Sequence, residues 1–106
     1  MLILKGQNGK SRVIDLLMDK THSACFVYND YPLIFDSIGV DSTQYSLNDF
    51  IQCISEEMKD AIVNDRHYDY LIIYTNQQEE NLRGLINWLD RAKWKIPCRD
   101  IILTCK

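Results

Sequence analysis

Apolar residues fall along this chain in two rhythms: short unbroken runs, and longer stretches in which they recur every three or four positions. The runs at 1–4, Ala24-Cys25-Phe26-Val27-Tyr28, Leu33-Ile34-Phe35, 68–75 and 99–105 are rich in strand formers and predict β-strands. The eight residues 68–75 are nearly all apolar or aromatic, which suits a central strand covered on both faces. Helical spacing appears three times. Val13, Ile14, Leu16, Leu17 and Met18 predict a first helix from 9 to 18 or 19, with Lys20-Thr21-His22 as its exit. Leu47, Phe50, Ile51, Ile54, Met58, Ala61 and Ile62 form one face of a second, with Glu56, Glu57, Lys59 and Asp60 mainly on the other. Leu82, Leu85, Ile86, Leu89 and Ala92 line a third, from about 77 to 94.

The punctuation between these stretches is specific. Ser46 with Asp49 three residues on is a variant of the capping box, so the second helix opens there. Asn76, three residues before Glu79, can cap the third, and Pro97 stops it. Asn29-Asp30-Tyr31-Pro32 is a turn signal, and its shortness favours a hairpin between the runs at 24–28 and 33–35 over a parallel pair. Residues 38–45 form a polar connection. The predicted order is strand, helix, strand, strand, helix, strand, helix, strand. Such alternation implies an α/β fold: a three-layer α/β/α sandwich around a mainly parallel sheet of four or five strands, with the early hairpin at one edge.

Composition narrows the class. At 106 residues, 46% hydrophobic and 25% charged, the chain reads as a single soluble α/β domain, 1–106. A net charge of −3 gives no broad drive towards nucleic acid or an anionic membrane. Lys93, Lys95 and Arg99 around Trp94 are the local exception, a cluster that also complements a helix C-terminus. With neither a leader-like segment nor a long apolar span in these residues, the expectation is a cytoplasmic, reduced setting. Cys25, Cys53, Cys98 and Cys105 lack any Cys-x-x-Cys spacing, and three of them lie in apolar contexts that suit a small buried hydrophobe. His22, Cys25, Cys98 and Cys105 match no zinc template, and neither His22 nor His67 stands in a thiol-activating pattern.

The chemistry suggested most directly lies at the start. Leu2-Ile3-Leu4-Lys5-Gly6-Gln7-Asn8-Gly9-Lys10-Ser11 reads as strand, glycine turn and helix start, where exposed amides, close backbone approach and a lysine favour an anion. Gly9-Lys10-Ser11 resembles the end of the P-loop (Walker A) motif of nucleotide-binding proteins. The first glycine of that motif would fall at Leu4, and counting from Gly6 leaves the loop two residues short, so a plain strand-to-helix turn stays open beside it.

What the resemblance implies is a phosphate-binding turn formed by Gly6, Gln7, Asn8, Gly9, Lys10 and Ser11, serving ATP or GTP with Mg²⁺. Leu33-Ile34-Phe35-Asp36 resembles the Walker B strand, which assigns Mg²⁺ to Ser11 and Asp36. Thr75-Asn76 resembles the polar tip beside the terminal phosphate. If the strands are parallel, these groups and Thr104 share one rim of the sheet. A second reading is a non-enzymatic interaction or regulatory module, alone or as a homo-oligomer, with Trp88, Trp94 and the tyrosines as contact residues. Glu56 and Glu57 are adjacent on a helix, do not face one another, and carry no site.

Overall fold

The computed structural model describes residues 1–5, 19–28, 46–75 and 77–106. Within them lie four strands, β1 (Leu2–Lys5), β2 (Ala24–Tyr28), β3 (Tyr68–Thr75) and β4 (Cys98–Cys105), and two α-helices, α1 (Leu47–Val63) and α2 (Arg83–Ala92). The strands form one sheet in the order β1-β4-β3-β2, every neighbouring pair parallel. The α/β expectation is met. Of the predicted first helix only its end is described, where Asp19 and Lys20 are helical. Residues 9–18, the run Leu33-Ile34-Phe35 with its predicted hairpin, and the predicted connection 38–45 lie outside the described residues.

Why β3 and β4 occupy the centre follows from their side chains. Alternate residues of a strand point to opposite faces, so a central strand must be apolar at consecutive positions. Leu71, Ile73, Ile101 and Leu103 pack on one face against Phe50, Ile54, Met58 and Ala61 of α1 and Leu85 and Leu89 of α2. Ile72 and Ile102 are buried on the other face with Leu4 and Tyr70 packed against them. Each large side chain so buried contributes about 2 kcal/mol. Both faces of the sheet are thus covered at its middle, the condition that a layered sandwich imposes. Edge strand β2 differs: Phe26 and Tyr28 turn to the helices, where they meet the Phe50 ring, and Cys25 and Val27 are exposed.

Local chemistry sets the element ends. The Ser46 hydroxyl accepts the Asp49 N–H at 3.1 Å and opens α1, as its sequence predicts. At the far end, Arg66 N–H donates to Ala61 C=O at 2.7 Å and Asp65 N–H to Ile62 C=O at 3.2 Å. This is the Schellman pattern, with Asp65 held at φ 53° where glycine is usual. Arg66 then pairs with Asp60 and, at 3.7 Å, with Glu57. The third helix begins later than the sequence suggests. A 3₁₀ turn, Glu79–Leu82, precedes α2, and its cap is Gln78, in extended conformation without a side-chain bond. The Thr75 hydroxyl accepts the Gln77 N–H at 3.1 Å, so the Gln77 amide is engaged locally ahead of the helix.

β2 is fastened to β3 before the ladder begins. His22 N–H donates to the Asp69 carboxylate at 2.8 Å, Asp69 N–H returns a bond to His22 C=O at 2.7 Å, and the His22 ring stacks on Tyr68 with centroids 5.1 Å apart. Register then follows from Ala24↔Leu71 to Tyr28↔Thr75.

Candidate functional site

A parallel sheet gathers its carboxyl ends on one rim, here Lys5, Tyr28, Thr75 and Cys105. Ligands of α/β proteins bind outside that rim, where successive connections change direction. Strand order supplies such a change. The chain passes from β1 at one edge to β2 at the other, then returns through β3 to β4 beside β1.

Three interactions tie the ends of β1, β3 and β4 together. Lys5 stands opposite Cys105 in the ladder. Lys106 N–H donates to Gln77 C=O at 2.9 Å, linking the exits of β4 and β3. The Lys5 ammonium pairs with the Glu79 carboxylate in the 3₁₀ turn, and this hydrogen-bonded carboxylate holds Lys5 above the usual lysine range. The last described residue of β1, Lys5, is therefore tied to the segment that begins at Gln77.

The predicted site residues themselves, Gly6, Gln7, Asn8, Gly9, Lys10, Ser11, Asp36 and Asn76, lie outside the described residues. Their anchors carry the geometry. Those of the phosphate turn and of Asn76 converge. Those of the metal pair do not: β1, which leads to Ser11, and β2, which precedes Asp36, stand at opposite edges with β4 and β3 between. At about 4.8 Å per strand, the separation is about 14 Å. The two rim threonines also prove structural. Thr104, fully buried, donates its hydroxyl to Ile73 C=O at 3.2 Å, and Thr75 serves the turn at Gln77. Glu79 and Glu80 fill the first turn of the 3₁₀ segment, so that helix end already has its negative charge and offers nothing to an anion.

The thiols separate differently from their sequence contexts. Cys105 is buried and Cys98 half-buried, whereas Cys25 and Cys53 are exposed. Cys53 follows a polar Gln52 and precedes buried Ile54, so the α1 stripe passes it by. Partial desolvation raises the Cys25 thiol above its ordinary value even though the residue is exposed, and burial pushes Cys98 up to about 11 against a bond from the Leu71 backbone. Activated thiols need the opposite direction. Among the described residues, no three His, Cys, Asp or Glu side chains converge on a point that could hold a metal.

The basic cluster near Trp94 divides in two. Trp94 is 84% exposed, and Lys93 lies over its ring at 5.3 Å, so one face of the indole already has a cation. Lys93, Trp94 and Arg99 border a pocket that also contains Asp90 and Asp100. Lys95 instead faces a groove between α1 and α2, with Lys59 and Arg91. From sequence, Lys95 belongs to a helix-end cluster with Lys93 and Arg99, and Lys59 falls on the polar face of its helix. The signal for a groove is the spacing of Lys59, Arg91 and Lys95 beside Met58, Ile62, Ala92 and Ile96. Among the described residues, no helix is long and apolar enough to cross a membrane.

Comparison of the chain with protein-family models, with curated proteins and with solved structures finds no match.

Proposed function

We propose that this protein binds a phosphate-bearing ligand at the carboxyl-terminal rim of its sheet, with ATP or GTP and Mg²⁺ as the ligand class. The Lys5–Glu79 ion pair carries the reading, because it joins the root of the glycine turn to the segment beyond β3 that includes Asn76. Lys10 and the amides of Gly6, Gln7, Asn8, Gly9 and Ser11 hold phosphate oxygens, and Asn76 meets the terminal phosphate. Ser11 is the metal ligand on this side of the sheet. Asp36 completes the metal site only if the chain beyond β2 returns across β3 and β4. Hydrolysis needs a positioned water and, as a rule, an arginine, and neither is assigned, so the protein holds nucleotide with weak or no turnover of its own.

A thermal melt tests this directly. A ligand at ten times its Kd stabilises the folded state by about 1.4 kcal/mol, which for a chain of this size raises Tm by about 6 °C. The rise should depend on Mg²⁺ and vanish in Lys10→Ala with the unliganded Tm retained. No shift with any nucleotide at millimolar concentration would sink the reading. The second reading, an interaction module, draws on exposed apolar side chains at one end of the helical layer: Ile62 at 53%, Val63 at 82% and Trp94 at 84%. Mass by size-exclusion chromatography with light scattering separates a homo-oligomer from a monomer that recruits something else.

A further inference from the structure

α1 and α2 lie side by side on the sheet, and between them runs a groove of ≈ 390 Å³. From α1 it takes Ser55, Met58, Lys59 and Ile62, which are three and four residues apart and so form one stripe about two turns long. Trp88, Arg91 and Ala92 form the matching stripe on α2, and Lys95 and Ile96 close the end. Met58 and Ile96 are buried, Trp88 and Ala92 half-buried, and Ile62 exposed. The floor is therefore apolar and opens onto exposed aliphatic surface at Ile62 and Val63.

The charge around it is of one sign. Lys59, Arg91 and Lys95 line the groove and, among the described residues, no carboxylate does. Among the described residues no carboxylate pairs with any of them; Arg91 spends its Nε on Asn87 C=O at 3.3 Å. What sets them apart is their common placement over one apolar floor in a chain of net charge −3. Three unpaired cations over an apolar floor complement a ligand that is both apolar and acidic.

We propose that this groove docks an acidic amphipathic segment of a partner protein, its apolar side chains on Met58, Ile62, Ala92 and Ile96 and its carboxylates on Lys59, Arg91 and Lys95. Charge alone would also attract nucleic acid, but base recognition needs an accessible ring face to stack on. Among the described residues the groove's one aromatic, Trp88, is half-buried and packed against the core. An aliphatic floor of two helical stripes suits peptide side chains. The inference deepens the interaction reading and is independent of phosphate at the rim.

The test is selection of a random dodecapeptide library on the intact protein, followed by fluorescence anisotropy with the enriched peptides. Enriched sequences should combine Asp or Glu with apolar residues at helical spacing. Their affinity should fall about tenfold in the combined Lys59→Ala, Arg91→Ala, Lys95→Ala variant, as for the loss of three exposed ion pairs, and fall as salt rises. Ile62→Glu, a single exposed change, should weaken the same peptides, and unchanged melting of both variants excludes unfolding as the cause. Enrichment without an acidic bias, or binding indifferent to both variants, overturns the proposal. Oligo(dT) binding more tightly than any peptide and lost in the triple variant also overturns it, in favour of a nucleic-acid groove. Lys10→Ala should leave peptide affinity unchanged, so failure here and failure of the nucleotide reading are read separately.

Discussion

Asp65 is the residue at which backbone and side chain disagree. Its φ of 53° lies in the left-handed region, where any side chain but glycine's costs about 1 kcal/mol, and the two Schellman bonds from Asp65 and Arg66 keep it there. Asp65→Gly should therefore raise stability by about 1 kcal/mol, seen as a higher urea midpoint with an unchanged slope. Cys98 makes a prediction of opposite sign in pH. Burial pushes this thiol up from its ordinary value of 9.0 to about 11 in the folded state. The native thiol keeps its proton where the unfolded one has lost it, so this contribution is intact below pH 9 and declines from about 9 to 11. Cys98→Ser should flatten that part of the stability–pH curve. Cys25, raised in the same direction, adds to the decline and is separable by its own serine variant.

At the scale of elements, Gly84 shows how much room the helical layer has. A Cβ built there would lie 3.4 Å from Leu47 Cδ2, an ordinary contact with a side chain that can adjust. Gly84→Ala should then stabilise α2 by about 0.5 kcal/mol, part of the full helix-propensity difference because the residue is in the first turn. Gly84→Leu should reverse the sign by crowding Leu47. Elements were legible in the sequence wherever the cause was local. Ser46 with Asp49 marks the start of α1, the run from Tyr68 to Thr75 marks β3, and Pro97 marks the break before β4. The delayed onset of the third helix was less legible, because it depends on one hydroxyl, that of Thr75, taking the Gln77 amide. The two-helix groove was invisible for another reason. Each cation is unremarkable in its own stretch of sequence, and only packing α1 against α2 brings Lys59 towards Arg91 and Lys95.

For the molecule as a whole, strand order decides what sequence periodicity cannot. Apolar runs announce strands, but nothing near Leu2 states that its neighbour in the sheet is Ile102. The anchors of the proposed phosphate site inherit this: the Gly-Lys-Ser sequence is local, while the link between the end of β1 and the segment after β3 depends on Lys5 reaching Glu79 across β4. Protection should grade across the sheet in the same way. β3 and β4 are paired on both sides, and Leu71, Ile72, Ile73 and Leu103 are fully buried, so their amides should exchange only on global unfolding. Amides of β2, including Phe26, should exchange through smaller openings, and hydrogen exchange resolved by NMR would rank them.

β4 completes the sheet although residues 98–105 are made after every other strand in it. On the ribosome, β1 must wait nearly a hundred residues for its only ladder neighbour among the described strands. Until then the apolar segment Leu2-Ile3-Leu4 stays without that neighbour, and exposed strand edges of this kind favour aggregation of a nascent chain.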